Sequence, residues 1–236
     1  MVIPERPMQF VSLDIAYMPR DRDGFQYILL IGDIFSKYLG VVPLRDQTAE
    51  SINKGFIDHW LYFHGTPLYA LSDQASNVDG DTMQQFCEKF GIKKRRSSPY
   101  HSQGNGMAER NIRSVREMLR AALLDQRLPQ HRWRKLLPEL VFALNCSESA
   151  AIKCVPYNVV FGRSAVLPAD IFLNNTIVSA QKDAISPKDY AEEAHDVMKR
   201  TWGVVIKHLR LSKEKMAQNY NKNIRFNDFQ PGDKVW

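Results

Sequence analysis

Three carboxylates occur where an acidic side chain is costly unless it binds a cation. Asp14 interrupts the apolar run Phe10–Tyr17, and Asp73 directly follows the strand-like segment Leu68–Ser72. Glu109 follows a stretch rich in Ser, Gly and Asn, and 35 residues separate it from Asp73. If the three acids converge they repel one another, and two divalent cations about 3.5–4 Å apart would remove that repulsion and could clamp an in-line phosphoryl displacement. The three residues are therefore the candidate catalytic residues and metal ligands.

The ligand types indicate which metal such a site would take. Asp14, Asp73 and Glu109 offer only oxygen atoms, and hard oxygen ligands favour Mg²⁺ or Mn²⁺ over softer metals. We therefore expect two Mg²⁺ or Mn²⁺ ions per site. No zinc is expected in this fragment, because the three cysteines are scattered, no Cys-x-x-Cys pair occurs and no histidine precedes His59.

Positive charge is concentrated around the third carboxylate. Residues 84–135 contain 13 Lys and Arg against 4 Asp and Glu, whereas the rest of the chain contains 19 against 22. A basic zone beside an acidic metal site suits a phosphodiester substrate, whose backbone needs cations and whose reacting phosphate needs metals. On charge alone, a solvated basic face without a partner is an equal alternative.

Basic side chains in two predicted elements could contact phosphates. Residues 93–96 are all basic, and in a strand only alternate side chains share a face, which singles out Lys93 and Arg95. In a helix that carries Glu109, three arginines project within about 40° of that acid, at roughly 100° per residue. These three residues are Arg113, Arg116 and Arg120.

The segments around the second and third acids resemble a known family. Residues 71–77 read LSDQASN, and residues 99–110 read PYHSQGNGMAER. With the Asp…Asp-x35-Glu spacing, they resemble the catalytic core of retroviral and retrotransposon integrases, most of all those of gypsy-type long-terminal-repeat retrotransposons or host genes captured from them. The resemblance covers roughly residues 8–165 and returns at residues 226–236.

The resemblance implies an activity and partners. It implies a metal-dependent polynucleotidyl transferase that processes DNA 3′ ends and joins them to target DNA, on double-stranded DNA, as a homodimer or tetramer, in the nucleus. It also implies that the loop before Glu109 grips the DNA end through Tyr100, Gln103 and Asn105. One departure from the family pattern is Ala75, which stands where the family usually has Gly.

Two other functions stay open. A host-domesticated descendant would keep the fold as a DNA-binding or interaction module with little or no catalysis, and the departure at Ala75 is compatible with it. A nuclease of the same fold acting on RNA–DNA hybrids is the third possibility, and the arginine row and the loop sequence favour integrases over it.

Hydrophobic patterns predict an α/β fold. We expect strands at 9–18, 25–34, 38–44, 68–72 and 92–95, with helices at about 48–63, 80–90, around Glu109 and at 129–149. This order is that of a ribonuclease-H-like fold, a five-stranded mixed sheet flanked by helices, followed by a helical linker.

The domain boundaries follow from these elements. We expect a catalytic core at 1–165, a helical linker at 166–223 and, at 224–236, the truncated first strand of a small β-barrel module. The sequence is therefore expected to be a fragment of a longer protein. No apolar run of 18 or more residues occurs, so no membrane contact is expected.

Overall fold

The computed structural model of the protein describes residues 3–72, 81–96, 105–167, 170 and 187–222. Within these ranges, the side chains of residues 81, 96, 105–109, 187–190 and 220–222 are not described.

A single mixed sheet of five strands forms the centre of the described fold. Its strand order is β3-β2-β1-β4-β5, with β1, β2 and β3 antiparallel to their neighbours and β4 and β5 parallel to β1. The strands are β1 (Phe10–Tyr17), β2 (Tyr27–Asp33), β3 (Leu39–Leu44), β4 (Tyr69–Ser72) and β5 (Lys93–Arg96). All five coincide within two residues with the strands predicted from the sequence.

Six helices accompany the sheet in the described residues. They are α1 (Ala49–Phe56), α2 (Asp81–Lys89), α3 (Asn105–Asp125), α4 (Trp133–Cys146), α5 (Pro156–Phe161) and α6 (Pro187–Lys222). The helix predicted at 48–63 exists, but after α1 it continues as a π-helical turn, Ile57–Leu61, and a last turn, Tyr62–His64. The helix predicted at 129–149 is shorter, because Pro129 has extended backbone and a 3₁₀ turn, Gln130–Arg132, precedes α4.

Alternation along the strands gives the sheet two apolar faces, each covered by helices. Val11, Leu13, Leu29 and Ile31 pack against residues of α1 and α2, among them the fully buried Phe56. On the opposite face, buried residues of β1 and β2 pack against α3 and α4; they include Ala16, Ile28, Leu30, Val115, Leu119, Trp133 and Leu137. The result is a three-layer α/β/α arrangement.

The long helix α6 packs on the same body through a separate apolar cluster. Val205 is fully buried with Phe35, Ile152 and Val159. The indole N–H of Trp202 donates to the Val159 carbonyl at 3.1 Å. The sequence predicts one helix or a helix pair in this region, and the structure has one.

Candidate active site

Asp14 lies in the middle of the central strand β1, on the sheet face that α3 covers. Val11 and Leu13 face α1, so Ser12, Asp14 and Ala16 share the other face. Asp14 is half-buried, and its Oδ1 accepts a hydrogen bond from the Ile15 N–H at 2.8 Å. The carboxylate is therefore oriented by the strand that carries it, while part of it stays accessible.

The strand β4 leads the chain towards Asp14. It runs parallel to β1, with Phe10 opposite Tyr69 and Leu13 opposite Ser72. Ser72 is the last residue of β4, and the residue that follows it in the chain is Asp73. Asp73 lies outside the described residues, so the prediction that it is a metal ligand stays a prediction.

The backbone of Glu109 lies near the start of α3, although its side chain is not described. Arg116 of the same helix donates to the Tyr17 carbonyl, with 2.8 Å between Nη2 and the oxygen. From this contact, seven helical residues lead back to Glu109 and three strand residues lead back to Asp14, and both paths are about 10 Å long. Helix and strand therefore cover similar distances between this contact and the two acids.

The direction of α3 agrees with this placement. Arg110 lies close enough to Lys37 for its guanidinium to act on the pKa of that amine. Lys37 follows β2, whose last residue, Asp33, is opposite Val11 of β1. Since residue 110 is near the Val11 end of β1 and residue 116 is at the Tyr17 end, the first turns of α3 run beside the part of β1 that contains Asp14.

Lys37 is a residue near the site that the sequence reasoning missed. It is half-buried, its φ is +64°, and its Nζ donates to the Ile34 carbonyl at 2.9 Å. Burial lowers the pKa of Lys37 to about 8, with the Asp33 carboxylate opposing this change and Arg110 adding to it. The available signal in the sequence is a lysine directly after the buried turn Asp33–Ser36.

Asp33 belongs to that turn, as the sequence analysis favours for an acid that follows an apolar strand. Its carboxylate is fully buried and accepts hydrogen bonds from the N–H of Met8, the N–H of Ser36 and the Ser36 hydroxyl. Burial raises the pKa of Asp33, and the hydrogen bonds from Ser36 and Met8 oppose that change. Its oxygens are therefore engaged in holding the chain turn after β2.

The predicted DNA-contacting residues fall into three groups. Lys93 and Arg95 are exposed on the edge strand β5, opposite Tyr69 and Leu71, which puts both on the face of Asp14. Arg113, Arg116 and Arg120 are exposed on α3, and Arg116 has the Tyr17 carbonyl as an intramolecular partner. Asn105 is the first residue of α3 with an undescribed side chain, and Tyr100 and Gln103 lie outside the described residues.

The donor chemistry of Asp14 fits a hard divalent cation. A carboxylate that is accessible on one side and oriented by a backbone N–H on the other is a suitable Mg²⁺ or Mn²⁺ ligand. Among the described side chains, no three His, Cys, Asp or Glu residues form a group that could hold a metal. The other two predicted ligands are not among those side chains. In the same ranges, no helix has the length and apolar content that crossing a bilayer requires.

Comparison with known proteins identifies relatives along nearly the whole chain. Over 98% of its length it is 26% identical to the retrovirus-related Pol polyprotein from transposon 412 of Drosophila melanogaster and 23% identical to the transposon Tf2-3 polyprotein of Schizosaccharomyces pombe. It spans only 18% and 16% of these two polyproteins.

Solved structures with the same fold are viral integrases. The catalytic core domain of HTLV-2 integrase in complex with magnesium matches with a TM-score of 0.54 at 18% identity, over 66% of this chain and 97% of that one. The simian T-cell lymphotropic virus intasome in complex with the PP2A regulatory subunit B56 gamma matches with a TM-score of 0.58 at 16% identity, over 70% of this chain and 58% of that one.

These matches confirm the predicted ribonuclease-H-like fold, with its five-stranded mixed sheet flanked by helices. The Integrase core domain family model matches residues 4–102. This range contains Asp14, the five strands and α1. The resemblance read from the sequence is thereby confirmed: through residues 4–102, the chain belongs to the integrase core domain family.

Proposed function

We propose that this chain is the catalytic part of a polynucleotidyl transferase that processes DNA 3′ ends and joins them to target DNA. One observation carries the proposal. Asp14 lies at the centre of the sheet on the face that α3 covers, and the parallel strand β4 ends opposite Leu13, one residue before Asp73. This arrangement leads the chain segments of all three candidate acids to one region of the sheet.

The residues present suit a divalent metal site. Asp14, Asp73 and Glu109 would hold two Mg²⁺ or Mn²⁺ ions, which, when bound, supply activation of the attacking hydroxyl and stabilisation of charge at the scissile phosphate. The chain itself contributes a preorganised carboxylate, since the Ile15 N–H fixes the orientation of Asp14 before any ligand arrives. Packing of α3 on Ala16 and Leu30 fixes the helix that carries Glu109.

Double-stranded DNA, both donor end and target, is the proposed partner. Exposed cations on β5 and α3 flank Asp14, and phosphate contacts by Lys and Arg supply most of the sequence-independent affinity for DNA. Relatives that are retrotransposon polyproteins support a role in DNA integration. We further propose that the protein acts in the nucleus as a homodimer or tetramer that brings two DNA ends together.

The first test neutralises Asp14 without removing its acceptor oxygen. Asp14→Asn keeps the hydrogen bond from the Ile15 N–H but loses the negative charge that a divalent cation needs. We expect strand transfer on a model DNA end in Mg²⁺ to fall by about 100-fold or more, a size typical of the loss of a group that stabilises the transition state. The matched control is Glu50→Gln, an exposed acid in the first turn of α1, which should leave joining unchanged.

Other outcomes would separate the rival functions. Joining that survives Asp14→Asn would contradict the proposal. DNA binding that persists in EDTA, with no nicking or joining at any Mg²⁺ or Mn²⁺ concentration, would favour the domesticated module. Cleavage of RNA–DNA hybrids without joining of DNA ends would favour the nuclease.

A further inference from the structure

A row of stacked side chains crosses the sheet from the central strand to the edge. The rings of Phe10 on β1 and Tyr69 on β4 are stacked, with 4.3 Å between centroids and 13° between planes. Arg95 on β5 places its guanidinium carbon 4.5 Å from the centroid of the Tyr69 ring, and the Lys93 Nζ lies 5.9 Å from the same centroid. These four residues are called the aromatic–cation row below.

The row is anchored at one end and exposed at the other. Phe10 is only 4% exposed, Tyr69 is half-buried, and Lys93 and Arg95 are exposed. A buried ring therefore holds a second ring, which in turn holds two cations at the edge of the sheet. Cation–π contacts of this type are worth roughly 0.5–1 kcal/mol at exposed sites.

Strand register relates the row to Asp14. Phe10 is opposite Tyr69 and Tyr69 is opposite Lys93, so all three side chains are on the sheet face of Asp14, and Arg95 shares that face two residues further along β5. Arg95 lies two strands from Asp14 and two residue levels below it. With strand spacings of about 4.8 Å and rises of about 3.3 Å, the two Cα atoms are roughly 12 Å apart.

That separation matches a short stretch of DNA. Each strand of a duplex carries one phosphate per 3.4 Å of helix axis, so about 12 Å corresponds to roughly three to four nucleotides. An Arg guanidinium that is already oriented loses less conformational freedom when it binds a phosphate, and its planar fork can make two hydrogen bonds to phosphate oxygens. Exposed cations without such support would bind less tightly.

We propose that Tyr69 is a positioning residue that holds Lys93 and Arg95 as a fixed phosphate-binding surface, which contacts the DNA backbone a few nucleotides from the phosphate that lies at Asp14. The identity of the DNA as an integration substrate rests on the proposed function. Tyr69 touches no phosphate itself in this arrangement and acts through the two cations.

Salt dependence of DNA binding tests the contact by Arg95. Binding of the 236-residue chain to a fluorescein-labelled 25-base-pair duplex is measured by anisotropy in EDTA, between 50 and 300 mM NaCl. Arg95→Ala should reduce the slope of log affinity against log salt by about 0.9, the value for one phosphate contact. The matched control is Arg45→Ala, because Arg45 is also exposed and stacked, 4.8 Å from the Phe25 ring, beyond the opposite edge strand β3. That variant should leave the slope unchanged.

A double-mutant cycle tests the role of Tyr69. Tyr69→Leu keeps every charge but loses the ring, so we expect about two- to fivefold weaker binding, the size of an exposed cation–π contact. Tyr69→Phe keeps the ring and should bind like the unaltered chain. In the Arg95→Ala background, Tyr69→Leu should weaken binding clearly less, because most of its effect passes through Arg95. Thermal unfolding monitored by circular dichroism shows that the variants are folded.

The inference is overturned if Arg95→Ala matches Arg45→Ala, or if the effects of Tyr69→Leu and Arg95→Ala simply add. These readouts need no catalysis, so they separate the two proposals. If DNA joining depends on Asp14 but the row variants bind like the unaltered chain, only the row assignment is wrong. If the row variants behave as expected and no joining occurs, the row stands and the catalytic proposal is wrong.

Discussion

At the scale of single residues, the packing of the sheet on α1 depends on one missing methyl group. Gly40 on β3 is opposite Ile31, and a Cβ at this position would come within 2.8 Å of Cε3 of the Trp60 ring. Trp60 is fully buried in the π-helical turn, so its indole cannot swing away without disturbing the core. The close approach of strand and indole therefore requires glycine.

Gly40→Ala should lower the free energy of unfolding by about 1–3 kcal/mol, the usual cost of overpacking a core. Gly203→Ala is the control, because Gly203 lies within α6 with nothing within 4 Å of an added Cβ. It should raise the free energy of unfolding by up to about 1 kcal/mol, the difference in helix propensity. Urea unfolding followed by circular dichroism measures both, and equal effects of the two variants would refute this account of Gly40.

Residue-level sequence reasoning found Asp14 but missed its surroundings. An acid within an apolar run is a local signal, which the alternation of β1 then explains. The stack of Tyr69 on Phe10 and the approach of Arg95 depend on the register between β1, β4 and β5, and segments distant in the chain set that register. No local pattern around Tyr69 indicates those partners.

At the scale of elements, one asparagine connects α4 to the edge of the sheet. Asn145 is 3% exposed, its Oδ1 accepts from the Leu39 N–H and its Nδ2 donates to the Leu39 carbonyl, both at 2.8 Å. A single amide side chain thereby satisfies both main-chain groups of the first residue of β3. It fixes where the strand begins relative to the helix.

Asn145→Ala should cost about 2–4 kcal/mol in the free energy of unfolding, because it leaves a buried N–H and a buried carbonyl without partners. The control is Glu139→Ala on the exposed side of the same helix, which should change stability by less than about 0.5 kcal/mol. Chemical denaturation of both variants decides the matter. A cost for Asn145→Ala as small as that of the control would show that the connection contributes little.

The elements themselves were largely predictable, because their signals are local. Apolar and β-branched runs indicate all five strands, and Thr48 begins α1 by accepting from the Ser51 N–H, as its residue type favours. The π-helical turn Ile57–Leu61 was not predictable, since its residues continue the apolar spacing of an ordinary helix. The predicted division at 165 and 223 stays a prediction.

At the scale of the whole molecule, the helix expected to act as a linker packs against the catalytic body. Val205 fills a site lined by Phe35, Ile152 and Val159, and Phe35 meets the Trp202 ring edge to face at 6.3 Å. Sequence periodicity predicts the helix but not its docking site, because Phe35 is more than 160 residues away in the chain.

Val205→Asp should release α6 while the sheet stays folded, since an unpaired buried charge costs several kcal/mol. Hydrogen exchange followed by mass spectrometry should show lost protection in residues 187–222 and unchanged protection in β1 and β2. Val204→Asp is the neighbouring control, because Val204 is 46% exposed. Protection that is lost equally in both variants would mean that the docking does not depend on the buried contact.

The docked helix has a mechanical consequence for whatever is attached beyond it. The Ser212 hydroxyl is hydrogen-bonded to the Ala151 carbonyl, and α6 continues for ten further residues, about 15 Å. A rod of this kind transmits torque and sets a direction, whereas a floppy tether of the same residue count would let its cargo wander. Lengthening the rod by one residue would therefore rotate the cargo by about 100° as well as move it.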